Sequence, residues 1–294
     1  MGVKQLGYLI FDLAPDTRDG MRTIFGQLFE APLADRPDGA ALVRLDGRDF
    51  RIMLRNGAEN KLAAIGWEVG SPAELDALAA RLAAEGIACD ALDPNLCEDR
   101  AVRSAIRFQD PDGFPLELFV DRPFARDTET AGKFVCGEES DGAFGLGHIV
   151  QICRDRAQSQ RFYIDVLGFD LSDRIKWDAA DLFFLHCNRR HHSIALSNEA
   201  FGLKAGMIDH FMIEARSKAQ VDSAYEKLAG LGFKVSQTLG QHTNDEVYSF
   251  YMMAPTGFRV EFGYGGKTIG DPADWQVVEY DAPSSWGHEL VHPE

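Results

Sequence analysis

Basic charge is scarce in this chain: 30 Lys and Arg stand against 46 Asp and Glu, for a net charge of −16 and a pI near 4.9. That balance argues against nucleic acid and anionic membrane surfaces as partners. Long apolar runs are missing as well. No stretch reaches the length of about 18 residues that a spanning helix needs. The opening Met-Gly-Val-Lys-Gln-Leu-Gly-Tyr has no signal-peptide core. Leu6 stands where a myristoylation motif wants Ser or Thr, so lipidation at Gly2 is discounted. Cysteine is sparse: Cys89, Cys97, Cys136, Cys153 and Cys187 are odd in number and share no metal-binding spacing. They read as reduced thiols of a cytoplasmic protein, a compartment that would help keep a bound metal in its lower oxidation state. What is present, 45% hydrophobic and 26% charged residues, is the composition of a folded globular protein. A chain of 294 residues suits two domains, and a small-molecule substrate fits it better than a polyanion.

The chain repeats itself. Leu6-Gly-Tyr8-Leu-Ile-Phe lies on Leu146-Gly-His148-Ile-Val-Gln, and Ile65-Gly-Trp67-Glu-Val lies on Ile208-Asp-His210-Phe-Met. Asp110-Pro-Asp-Gly-Phe-Pro-Leu-Glu117 lies on Ala254-Pro-Thr-Gly-Phe-Arg-Val-Glu261. The spacings agree, 59 and 50 residues in the first half against 62 and 51 in the second. On this alignment Tyr8 and Trp67 replace His148 and His210.

Each half divides again into a strand, an amphipathic helix and further strands. The stretch from Ser71 to Gly86 has a Ser cap, Pro in the first turn, helical apolar spacing and a terminal Gly, and Ser217 to Gly232 repeats that plan. Arg154 to Gly168 is a third copy, and Asp16 to Glu30 the fourth and least regular. Aromatic and β-branched runs bounded by Pro-Asp-Gly or Pro-Thr-Gly turns predict the strands. The pattern predicts an α+β fold of four βαβββ modules. It resembles the vicinal oxygen chelate (glyoxalase-like) superfamily, in which two modules wrap into an incomplete barrel around a metal. The expected domains are 1–134, without metal, and 135–294, catalytic, with a linker near Phe124 to Asp141.

His148, His210 and Glu261 each sit in an apolar strand run, where an unpartnered imidazole or carboxylate costs several kcal/mol. A metal would satisfy all three together. Two His and one carboxylate leave one face of the metal open and favour non-haem Fe(II); Mn(II) fits by the same ligand logic. The net charge of about +1 at such a centre suits a catecholate, which offers two adjacent oxygens and negative charge. Proton-handling candidates lie nearby: His242, Asn244, Asp245 and Tyr251 on a loop-strand segment leading to Glu261, and the His191-His192 pair. Placed on a strand, His191 and His192 must point to opposite faces, and parity does not say which one points inward.

Phe184-Leu-His-Cys-Asn-Arg-Arg-His-His, Leu239-Gly-Gln-His-Thr-Asn-Asp with Ser249-Phe-Tyr251, and Tyr280-Asp with Trp286-Gly-His carry a closer likeness. Over essentially its whole length the chain resembles the type I extradiol ring-cleavage dioxygenases, specifically the 2,3-dihydroxybiphenyl 1,2-dioxygenase group. The resemblance implies His148, His210 and Glu261 as iron ligands and His192 as the acid/base residue near bound dioxygen. It implies His242 and Tyr251 at the substrate hydroxyl, with Asp245 and Asn244 supporting them, and Val150 and Phe184 lining an aromatic pocket. The implied reaction is cleavage of a bicyclic or aryl-substituted catechol beside the diol, with both atoms of dioxygen incorporated, in aromatic catabolism. The departures are Glu246-Val-Tyr248 and the unplaced segment Ser172 to Leu182 with Ile175-Lys-Trp177; they bear on substrate choice.

Two rivals remain at this stage. A glyoxalase-type isomerase or epimerase usually carries a fuller ligand set, against which Tyr8 and Trp67 speak. A non-catalytic sequestering protein would not need His148, His210, Glu261 and His192 together, and its ligand binding would survive loss of metal. A homo-oligomer is expected, with the metal-free first half serving in assembly.

Overall fold

The computed structural model describes residues 2–123, 132–136, 138–139 and 142–291. The first half runs β1 (Gln5–Leu13), α1 (Pro15–Thr23), β2 (Leu33–Asp35), β3 (Ala41–Val43), β4 (Ile52–Asn56), β5 (Lys61–Val69), α2 (Pro72–Ala84), β6 (Asp90–Ala91), α3 (Pro94–Asp99), β7 (Val102–Gln109) and β8 (Pro115–Asp121). A short pairing of β9 (Glu138–Glu139) with β10 (Gly142–Ala143) follows. The second half runs β11 (Gly147–Ile152), α4 (Arg156–Arg161), β12 (Asp170–Lys176), β13 (Asp181–His186), β14 (Ile194–Ser197), β15 (Ile208–Ala215), α5 (Lys218–Leu228), β16 (Val235–His242), β17 (Tyr248–Met253) and β18 (Arg259–Tyr264), closed by β19 (Val278–Tyr280) and β20 (Ser284–Gly287). Four βαβββ modules are therefore present. The expected linker falls largely outside the described residues; within it, Phe134 already bridges to Ala215 of the second half. No helix among the described residues is long and apolar enough to cross a membrane.

Local chemistry sets the helix ends. The Ser71 side chain accepts a hydrogen bond from Glu74 N, and Ser217 forms a capping box with Gln220. Asp155 caps α4 through Gln158 N. Both α1 and α4 run on into one π-helical turn, Ile24–Leu28 and Phe162–Val166, which turns Phe25 and Phe162 into the core.

Each half is one curled sheet, and the two share an order. The first is β2-β3-β4-β1-β5-β8-β7-β6; the second is β12-β13-β14-β11-β15-β18-β17-β16 with β19 and β20 added at its edges. Register makes the correspondence exact by residue. Gly66 pairs with Tyr8 and with Glu117, as Met212 pairs with His148 and with Glu261. Two residues earlier on the strand, the counterpart of His210 is therefore Ala64, not Trp67. The repeat read from sequence slips here by three positions, an odd number, and so exchanges the two faces of the strand. Trp67 instead packs edge-on against Phe169 between the halves, at 5.1 Å between ring centroids. Tyr8 does stand in the place of His148; it donates to Glu117 (2.5 Å), which also accepts from Arg100. A hydroxyl and a guanidinium thus occupy the carboxylate that a metal would otherwise neutralise.

The convex faces of the two sheets and their helices make one continuous core. Phe11 stacks on Phe258, and Phe29 stacks on Phe262 at 4.2 Å. The turn before β8 docks on α4: Tyr163 donates to Asp110 (2.9 Å), Ser159 to Asp112 (2.6 Å), and Arg154 N to Asp112. Burial pushes the Asp110 carboxyl up to about 6, against the hydrogen bonds it accepts from Phe114 N and Tyr163. A folded-state value above the unfolded one of about 3.9 means that the protonated form favours folding, fully below pH 4 and no longer above pH 6. Asp110→Asn lacks that titration. Relative to the variant, the parent should lose about 2–3 kcal/mol between pH 4 and pH 7 in thermal or denaturant unfolding. Parallel pH profiles for the two proteins would rule this account out.

Candidate functional site

Adjacent strands of the second sheet bring three side chains onto its concave face. His148 comes from β11, His210 from β15 and Glu261 from β18, all buried. His148 Nε2 stands 3.2 Å from His210 Nε2 and 3.1 Å from Glu261 Oε2, and His210 Nε2 is 3.4 Å from the same oxygen. Donors on one face of a metal at about 2.2 Å would lie about 3.1 Å apart. Neither Glu261 oxygen accepts a well-formed hydrogen bond among the described residues, although the side chain is 1% exposed. A single proton between the two imidazoles leaves one lone pair facing the carboxylate; a divalent cation satisfies all three atoms. Burial opposes ionisation of Glu261, but the surrounding imidazoles hold it well below the usual carboxylate range.

A second layer fixes these donors. His210 Nδ1 bonds Asp209 (2.9 Å), whose carboxylate is held by Arg259 at 2.6 Å, so the ring presents Nε2 inward. Burial lowers the basicity of His210, and the Asp209 and Glu261 carboxylates more than restore it. His242, at the end of β16, donates Nδ1–H to Pro283 O (2.9 Å) and turns Nε2 to the Tyr251 hydroxyl (2.7 Å) and Glu261 Oε1 (3.3 Å). Its pKa rises to about 9 because Glu261 and Asp245 outweigh burial. His288 lies under the His242 ring (centroids 4.3 Å apart) and bonds Ser284 and Ser249. Asp209, Arg259 and His288 were not singled out as site residues in the sequence. Asp209 beside His210, and Arg259 two residues before Glu261, are the signal that could have found the first two.

The His191-His192 pair departs from expectation. Both residues lie in the irregular segment before β14, so strand alternation does not apply, and both rings are buried. They stand perpendicular with their Nδ1 atoms 3.2 Å apart. His192 packs against His148 (centroids 4.0 Å) and has Asp245 at 3.7 Å; His191 faces away and bonds Asp173 (2.9 Å). Burial, with His148 and His191 adding to it, holds His192 well below the usual histidine range. Asn244 donates to Asp173 rather than toward the metal donors. Glu246 takes a left-handed φ of 61° in the turn that lets Asp245 accept from Val247 N.

The segment that sequence left unplaced forms the β12–β13 hairpin. Ile175 joins Val150, Phe184 and Ala195 in a small apolar cluster separate from the main core, with Trp177, Leu182 and Tyr280 packed on it. Phe184 meets the His192 ring edge-on at 4.9 Å. This cluster is an apolar wall beside the donors, suited to a second aromatic ring. A cavity of about 160 Å³ reaches His148, His192 and Asp245 between Phe144, Arg190 and Lys267.

Comparison with known proteins agrees with this geometry. Residues 145–262 match the Glyoxalase/Bleomycin resistance protein/Dioxygenase superfamily. The chain is 53% identical to a 2,2',3-trihydroxybiphenyl dioxygenase of Sphingomonas paucimobilis, over 100% of this chain and 99% of that protein. It is 35% identical to an iron-dependent extradiol dioxygenase of Rhodococcus jostii, over 86% of each. The crystal structure of 2,2',3-trihydroxybiphenyl 1,2-dioxygenase from Sphingomonas wittichii superposes with a TM-score of 0.96 at 52% identity, covering 98% of this chain and 100% of that one. By donor geometry, fold and full-length similarity alike, the chain belongs to the extradiol ring-cleavage dioxygenases of the glyoxalase (vicinal oxygen chelate) superfamily.

Proposed function

We propose that this enzyme cleaves a bicyclic catechol of the 2,3-dihydroxybiphenyl type beside its diol, incorporating both atoms of dioxygen, with Fe(II) held by His148, His210 and Glu261. The observation that carries the reading is the convergence of two imidazole nitrogens and an unpartnered buried carboxylate within 3.4 Å, beside an apolar wall. Iron rather than manganese follows the relative named as iron-dependent. When bound, the metal supplies a template for the two diol oxygens and dioxygen, and a path for electrons between them.

The side chains divide the remaining work. His242 and Tyr251 sit 2.7 Å apart at the edge of the donor set, where both can donate hydrogen bonds to a diol oxygen. Asp245 lies 3.7 Å from His192 Nδ1, and Asn244 steadies Asp173 behind it. His192, kept neutral by burial, starts as a base and passes a proton to or from the attacking oxygen. Val150 and Phe184, with Ile175 and Leu182, seat the distal ring and exclude water. Within this proposal residues 135–294 carry the chemistry and 1–134 buttress it; the counterparts Tyr8 and Ala64 offer no metal ligand, which speaks against an isomerase with a fuller donor set. Five free cysteines fit a cytoplasmic enzyme. Exposed Val277, Val278, Trp286 and Leu290 near the C-terminus fit assembly into a homo-oligomer.

Fe(II) at about 100 times its dissociation constant should raise unfolding stability by about 2.7 kcal/mol. Glu261→Gln should abolish both that gain and oxygen uptake with 2,3-dihydroxybiphenyl; a metal-dependent shift that survives the substitution removes the ligand assignment. The parent should consume one dioxygen per catechol and give a yellow product. Phe184→Ala should raise KM for 2,3-dihydroxybiphenyl about tenfold, or about 1.4 kcal/mol of lost ring contact, while leaving a monocyclic methylcatechol nearly unchanged. Equal effects on both substrates would show that Phe184 does not read the distal ring.

A further inference from the structure

Behind His192 lies a chain of groups, of which His191 has had no role in the reaction above. His192 Nδ1 is 3.2 Å from His191 Nδ1, and His191 Nε2 is 2.9 Å from Asp173 Oδ2. Asp173 is 1% exposed and takes a further hydrogen bond from Asn244 Nδ2 at its other oxygen (3.3 Å). An ionised carboxylate only accepts, so His191 Nε2 must carry the hydrogen. If that is the one hydrogen His191 carries, it offers a lone pair at Nδ1, and His192 supplies the hydrogen between the two rings. The other neighbour of His192 Nδ1 is the Asp245 carboxylate, also an acceptor.

The molecule contains its own control. Ile52 pairs with Leu9 as Ile194 pairs with Ile149, so Phe50 is the counterpart of His192 and Asp49 that of His191. The half without metal donors lacks both imidazoles. The buried ion pair two positions earlier behaves otherwise: Arg48–Glu68 and Arg190–Glu214 occur in both halves at equivalent positions. The Arg–Glu pair therefore goes with the fold, whereas the two imidazoles go with the metal donors.

We propose that Asp173 and His191 are positioning residues that lock His192 in its Nδ1–H tautomer, leaving the Nε2 lone pair to the reacting oxygen. The inference rests on the function proposed above only for that last role. Histidine-labelled protein loaded with Zn(II), which is diamagnetic, allows the ring hydrogens to be assigned by long-range 15N–1H correlation. The parent should show Nδ1–H at His192 and Nε2–H at His191. Asp173→Asn, nearly isosteric, should reverse or mix both tautomers and lower kcat by on the order of 10²–10⁴, with KM for the catechol within about twofold. Asp173→Glu should recover part of kcat, and metal content should stay constant throughout. Nε2–H or a doubly protonated ring at His192 in the parent overturns the proposal, and needs no variant to fold. Unchanged tautomers and kcat in Asp173→Asn overturn it equally. Nδ1–H in a protein that cleaves no catechol upholds the lock and removes the function instead.

Discussion

Glu261 carries a charge where its side chain is buried and, among the described residues, neither oxygen accepts a well-formed hydrogen bond; most of the second half can be understood as the accommodation of that charge. An isolated buried carboxylate costs several kcal/mol at the least. Three successive strands supply the compensation: β15 lies between β11 and β18, and the curl of the sheet brings side chains of all three within 3.4 Å of the carboxylate. The Asp209–Arg259 pair then fixes the ring of His210, and Pro283 fixes that of His242. What looks like a cluster of reactive groups is equally a solution to an electrostatic problem.

The first half solves the same problem differently. Glu117 occupies the position of Glu261 but is met by the Tyr8 hydroxyl and the Arg100 guanidinium. Phe50 and Phe119 pack against Tyr8, filling with rings the space that donors line in the second half. One backbone plan thus supports a sealed interior and an open reactive one, and the difference lies in a handful of inward residues.

Much of this was legible in the sequence because periodicity and turn chemistry are local. The four modules, the Ser-capped α2 and α5 and the Pro-x-Gly turns came from short-range signals, and the candidate donors His148, His210 and Glu261 from polar residues in apolar strands. Register was less legible. Trp67 was set against His210 because the two short motifs look alike, whereas strand pairing selects Ala64, and pairing is a long-range property that spacing alone does not contain. The His191-His192 pair failed for a different reason: a strand was assumed where the chain is irregular, so the alternation rule did not apply. Asp173 lies 18 residues before His191, and nothing local links them. All eight histidines fall at or after residue 148, so counting alone points to the second half as the one equipped for a metal.

Phe262 follows Glu261 directly and points the opposite way, onto Phe29 of the first half. Phe11 likewise meets Phe211 and Phe258. A chain emerging from the ribosome therefore presents Phe11, Phe25 and Phe29 well before their partners have been synthesised. For that interval the first half is an incomplete solid with sticky rings on its back, awaiting the residues that will cover them. The half without candidate metal donors covers the back of the strands that carry them, and a chain cut between the halves would leave those rings exposed.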